Sequence, residues 1–256
     1  MKYLVSCLLV LLTLHLNLTF TVFAEEKENP VEKLIATYKE DVTGDGLKEV
    51  INLYGVIFSK NSNYLHNTWA TIKGPGKMQW KITYKGGYEP KLQFVDIDHD
   101  GVKDIFYQSA TGGSGGLYYY HLHTLKKENV KELPLPKSNY IHGEFQKEFK
   151  AALSIEPWNN PIIIDVKDRA DEYIQQGIYD KNGKLIKKIS LMVDPIAFFE
   201  PTLFNKSKGY GLKSYQQISG AYHADQLGSI ESLWYFEDGK WIKIKAQWIP
   251  SGQKNS

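Results

Sequence analysis

Two short stretches hold the side chains best suited to chemistry. Asp41-Val42-Thr43-Gly44-Asp45-Gly46-Leu47-Lys48-Glu49 and Asp96-Ile97-Asp98-His99-Asp100-Gly101-Val102-Lys103-Asp104 share one grammar: oxygen, x, oxygen, x, Asp, Gly, x, x, carboxylate. A hard cation such as Ca²⁺ takes about six to eight oxygen ligands, and alternate residues of a tight loop aim side chains inward where glycine permits the turn. Asp41, Thr43, Asp45 and Glu49 are the expected ligands of the first loop, and Asp96, Asp98, Asp100 and Asp104 those of the second. The backbone carbonyls of Leu47 and Val102 are expected to add further oxygens. Thr43 stands where the second loop has a carboxylate, which lowers the expected affinity of the first. Asp-Gly turns use the same residues without a metal, but duplication of the whole pattern favours calcium. An EF-hand is excluded, because the twelfth positions are Asn52 and Tyr107 and the residues that follow read as strands.

Other constellations are weaker. Gly112-Gly113-Ser114-Gly115-Gly116 matches the nucleophile elbow of serine hydrolases, with His223 and Asp225 as imaginable partners. That elbow needs a helix after the serine, whereas Leu117-Tyr118-Tyr119-Tyr120 reads as a strand. His121 and His123 would share one strand face, but no third metal ligand is evident from spacing. Asp165, Asp168, Asp171 and Glu172 are candidate acids for a hydrolase without a recognisable arrangement. Tyr118, Tyr119, Tyr120, Trp158, Trp234, Trp241 and Trp248 could form a platform for carbohydrate or peptide, although terminal tryptophans more often pack a core.

The elements that must position these groups read as short strands. Val50 to Tyr54, Thr68 to Ile72, Trp80 to Tyr84, Gln93 to Val95, Ile105 to Tyr107 and Leu117 to Leu125 mix alternation with β-branched and aromatic residues. Asn182-Gly183 and Asp238-Gly239, each between apolar flanks, predict tight hairpins. The one predicted helix covers residues 143–153, where Phe145, Phe149, Ala152 and Leu153 fall on one face. Leu133-Pro134-Leu135-Pro136 and residues 156–161 are loop-like punctuation within a single domain spanning residues 25–256. The two loops begin 96 − 41 = 55 residues apart, a spacing suited to a blade-sized β unit, and Leu203 to Gly211 reads as a third copy that has lost its acids.

Composition bounds the function. The 256 residues carry 31 basic and 29 acidic side chains, and Arg169 is the single arginine. Without guanidinium forks a dedicated nucleic-acid binder is disfavoured. Residues 1–24 read as a secretory signal peptide: Lys2, a long apolar stretch, then Val22-Phe23-Ala24. The single cysteine, Cys7, would leave with it, so an exported chain without disulfides must be held by its core, by metal, or by both. No membrane span is expected after cleavage.

The acidic loops, the Gly-rich run at 110–116, Val193-Asp194-Pro195 and the segment from Ile218 to Gly228 resemble the secreted VCBS/FG-GAP-like repeat proteins of Gram-positive bacteria. That resemblance implies β-propeller blades of the integrin-α type with calcium in a Dx[DT]xDGxx[DE] loop. The expected fold is therefore mainly β, a propeller-like array of about four antiparallel repeats, with closure left open by the changed residues at 205–211. The expected function is an exported, calcium-stabilised, non-enzymatic binding or adhesion module, secreted or cell-wall associated, with an envelope carbohydrate or protein as partner. An extracellular hydrolase on the same scaffold is the alternative.

Overall fold

Alternation of buried and open side chains dictates most of the chain. Ile51 and Leu53 point inward while Asn52 and Tyr54 are half-buried, and Thr68, Ala70 and Ile72 repeat the pattern on the next strand, as expected of strands with one covered face. The computed structural model describes residues 31–252; the expected signal peptide at 1–24 lies outside them. The protein is mainly β, and every strand pairing is antiparallel.

The first sheet is a meander of β1 (Glu32–Glu40), β2 (Glu49–Ile57), β3 (Leu65–Lys73), β4 (Gln79–Val95), β5 (Asp104–Ala110), β6 (Tyr118–Thr124) and β7 (Lys131–Leu133). Its long fourth strand serves two halves: Gln79 to Gly87 pairs with β3, and Tyr88 to Val95 pairs with β5. The changeover needs Gly86, because a Cβ there would lie 1.9 Å from the carbonyl oxygen of Leu65. A three-stranded sheet follows, in the order β10 (Ile162–Asp165), β9 (Lys150–Ile155), β8 (Ile141–Gln146). After the helix α1 (Ala170–Gln175) comes a four-stranded meander of β11 (Met192–Asn205), β12 (Gly209–Ser219), β13 (Gln226–Glu237) and β14 (Lys240–Pro250). None of the three sheets closes on itself.

One expectation fails. Residues 143–153 form not a helix but most of the β8–β9 hairpin. Burial alternates through Ala151, Leu153 and Ile155, and Glu148 and Phe149 turn the chain with φ of 64° and 53°. The apparent helical face came from Phe149 and Ala152, which are only half-buried. The Asp238-Gly239 hairpin forms as expected, with both residues at positive φ (51° and 75°) between paired Glu237 and Lys240. At the other predicted turn, Tyr179 and Leu185 bridge around Asn182-Gly183.

Two cores make this one body. Ile51, Ile72, Leu92, Ile105 and Tyr107 fill the space between the two halves of the first sheet. Phe106 and Leu122, on the opposite face, join Phe145, Tyr173, Ile218 and Trp234 of the later sheets. The strand β5 is thus covered on both sides, which explains its unbroken run of buried residues from Asp104 to Ser109.

Candidate metal centre

Both acidic stretches connect the first strand of a half to its second: 41–48 joins β1 to β2, and 96–103 joins β4 to β5. The turn at 205–209 occupies the corresponding place between β11 and β12. There Asn205 Oδ1 accepts from the amides of Ser207 and Lys208, an Asx turn that needs no ion.

The two loops share three backbone captures. Gly46 donates to Asp41 at 2.9 Å and Gly101 to Asp96 at 3.0 Å. The amides of Leu47 and Val102 donate to Asp45 (2.7 Å) and Asp100 (2.9 Å). Those of Val42 and Ile97 each donate at 2.8 Å to the closing carboxylate, Glu49 or Asp104. Gly44 and His99 share the left-handed region at φ 80° and 60°, and Gly46 and Gly101 both stand at 85°. The loops also touch: a Cβ on Gly44 would fall 2.6 Å from Val102 Cγ2, and Lys103 pairs with Glu40 at 2.8 Å.

They differ where it matters for charge. In the first loop Thr43 Oγ1 donates to Glu49 Oε1 at 3.3 Å, so both oxygens of the buried Glu49 have partners. In the second loop Asp98 replaces the threonine, setting a carboxylate where the first loop has a hydroxyl donor. Asp104 Oδ2 accepts from Ile97 and Asp98, while its buried Oδ1 has no partner among the described residues. Carboxylate oxygens of Asp96, Asp98 and Asp104 lie within 4.8 Å of one another, the single such acidic or imidazole cluster among the described residues. Burial pushes the Asp104 carboxyl up to about 7, with the charges of Asp98 and Asp100 adding and the Ile97 and Asp98 amides opposing. Burial, then Asp100, also raises Asp98. Lys126 relieves part of the load from the rim, 3.1 Å from Asp100 Oδ2 and 2.6 Å from its carbonyl.

A buried carboxylate oxygen without a hydrogen bond is costly, and a divalent cation would remove that cost. Asp96, Asp98 and Asp104 supply only hard oxygens, which suits Ca²⁺. Val102, beside them, is buried, whereas Leu47 in the first loop is 56% exposed; the second loop therefore holds its charges in a poorer solvent.

The other candidates are not brought together. Ser114 is exposed in the β5–β6 turn, His223 faces Asp194 at 3.3 Å, and Asp225 is held by Arg169 and Tyr173. Asp165, Asp168, Asp171 and Glu172 are exposed, with Asp168 on Arg169 and Glu172 on Tyr222. His121 pairs with Glu132 at 2.8 Å, while burial pushes the His123 imidazole down to about 4. Trp234 packs in the core, and Trp241 donates its indole proton to the Pro134 carbonyl. Sequence reading missed the contact of Arg169 Nε with the buried Asp225 at 2.9 Å; the uniqueness of that arginine was its one visible signal.

Comparison with known proteins adds similarity without activity. Residues 139–249, less than half of the chain, match the model of the YybI C-terminal domain. The uncharacterized protein YybI of Bacillus subtilis (strain 168) is 27% identical over 208 residues, covering 78% of each chain. The match to the domain begins at Asn139, in the connector that separates the first sheet from β8. No solved structure matches the chain. Among the described residues no helix is long and apolar enough to cross a membrane.

Proposed function

We propose that this is an exported binding or adhesion module of the cell envelope whose β repeats are fixed by calcium rather than by disulfides. The observation that carries the calcium reading is the buried, unpartnered Oδ1 of Asp104 beside Asp96 and Asp98. In this reading Asp96, Asp98, Asp100, Asp104 and the Val102 carbonyl form the primary site. Asp41, Thr43, Asp45, Glu49 and the Leu47 carbonyl form a weaker one, because Thr43 already satisfies Glu49. The two halves of the first sheet and the four-stranded last sheet, each with its loop at its first connection, are then successive units of an FG-GAP-like array. Export is supported by the apolar segment ending at Ala24, and the partner is an envelope carbohydrate or protein.

Thermal unfolding of the purified protein in EDTA, in about 1 mM Ca²⁺ and in Mg²⁺ tests the metal. A site with Kd of about 10 µM would add about 2.7 kcal/mol at that concentration, or roughly 5–10 °C in Tm for a chain of this size. Asp104→Asn should remove most of that gain. Superimposable curves with and without calcium, with no calcium retained in equilibrium dialysis, would return the loop to an ordinary Asp-Gly turn.

A further inference from the structure

Away from the acidic loops, two open clefts of about 520 and 650 Å³ lie on either side of the connector between β7 and β8, sharing Leu135, Pro136, Lys137 and Asn139 as their common wall. The wall is held in place. Trp241 donates to the Pro134 carbonyl at 2.7 Å, Gln216 donates to that of Ser138 at 3.0 Å, and the Tyr140 carbonyl accepts from the Glu156 amide at 2.9 Å. Two clefts with a common fixed wall offer one extended lining, here called the trough, suited to a chain that crosses that wall.

The trough has a sign. Lys85, Lys137, Lys240 and Lys243 line it against a single carboxylate, Glu156, in a protein whose basic and acidic totals are 31 and 29. Lys243 is the least solvated of the four. Its ammonium stands 3.4 Å from the centre of the Tyr140 ring and 5.1 Å from that of Trp234. Burial lowers its pKa to about 8, so an anion arriving in the trough would meet a charge poorly compensated by water. The trough also has faces for stacking: Trp241 and Tyr118 to Tyr120 line it half-exposed, and Trp158 stands 41% exposed, 5.5 Å from the Lys243 ammonium. Rings with an apolar face and a polar edge suit the C–H faces of sugars, and lysines act as point charges toward carboxylate or phosphate.

We infer that this trough binds an anionic sugar or sugar-alcohol chain, its charged groups on the four lysines and its carbon faces on the aromatic rings. The inference rests on the reading of the protein as an envelope-binding module, and adds the place and the ligand class. It does not depend on calcium, since none of the acidic-loop residues lines either cleft.

The test follows tryptophan fluorescence while the protein is titrated at about 50 mM salt with hexagalacturonate, an oligomer of glycerol phosphate, and neutral maltohexaose. One or both anionic chains should bind at least tenfold tighter than the neutral one, and the two anionic arms separate carboxylate from phosphate as the charge recognised. Lys137→Glu and Lys240→Glu alter exposed side chains and should leave Tm unchanged while weakening anionic binding about tenfold each. Lys243→Met should weaken it further. Equal binding of neutral and anionic chains, binding untouched by the lysine variants, or no binding of any of the three would overturn the inference. Co-sedimentation with isolated cell walls separates the two levels. Retention on walls that the lysine variants do not change sinks the trough alone, whereas absence of retention sinks the module reading and the trough with it.

Discussion

The contrast between Thr43 and Asp98 turns one backbone loop into two electrostatic situations. A hydroxyl at position 43 donates to Glu49, whereas a fourth carboxylate at 98 leaves a buried oxygen of Asp104 without a donor. Asp98→Thr tests this directly, because it removes one charge and supplies a donor. In EDTA the variant should be more stable than the parent by about 1.5–3 kcal/mol, the scale of a hydrogen bond to a charged group. Its Tm gain on adding calcium should shrink, since the ion would find one carboxylate fewer. A lower Tm in EDTA than the parent would mean that Asp98 is not a source of strain in the metal-free loop. That residue-level difference was partly legible in the sequence, where Thr43 already marked the first loop as the weaker. What the sequence could not show is that the threonine caps the closing glutamate, because an oxygen ligand and a hydrogen-bond donor are the same residue until its partner is placed.

Elements were legible where one local signal stood alone and lost where two periods overlapped. Strands β2 to β6 of the first sheet followed from alternation and from their β-branched and aromatic residues, and the Asp238-Gly239 turn from its positive-φ residues, because both signals are local. The β8–β9 hairpin was misread because Phe145 and Phe149 are four apart, a helical spacing that here straddles a turn at Glu148. The helix α1 escaped notice because six residues are too few to show a period. Its anchoring is tertiary: Tyr173 donates to Asp225 at 2.5 Å, the Ala221 amide donates to the same oxygen at 3.0 Å, and Arg169 Nε pairs with the other at 2.9 Å. The β12–β13 connection is bare at Gly220 because a Cβ there would come within 2.1 Å of Asp225 Oδ2. Removing one partner of a buried pair leaves a charge uncompensated, so Arg169→Met should destabilise the protein by about 3 kcal/mol in urea unfolding. Asp168→Ala, which breaks only an exposed pair with the same arginine, should cost less than about 0.5 kcal/mol. Equal effects of the two variants would show that Asp225 does not tie the helix to the last sheet.

At the scale of the whole molecule, the second acidic loop is also a joint. His99, at its left-handed position, places Nε2 2.8 Å from the Tyr210 carbonyl and Nδ1 3.1 Å from that of Phe236, with its ring stacked 4.4 Å from Tyr235. Tyr210, second in β12, lies beside the acid-free third copy of the motif, so the loop proposed to hold calcium rests on the loop that has lost the capacity. On the other side it touches the first loop through Val102 and Gly44. Three equivalent connections thus meet, and an ion that orders the central one should stiffen its neighbours. Residue His99 can be separated from metal binding, because its counterpart Gly44 shows that glycine suits the same backbone position. His99→Gly should therefore bind calcium with an affinity within about twofold of the parent. In hydrogen exchange, calcium should slow the amides of residues 209–212 and 235–237 in the parent by roughly tenfold, the scale of one lost opening of about 1.4 kcal/mol. In the variant that slowing should vanish at those residues while persisting at 96–104. Protection confined to 96–104 in the parent itself would mean that the ion fixes only its own loop, and that the first and last sheets are joined by their shared core around Phe106 and Leu122 alone.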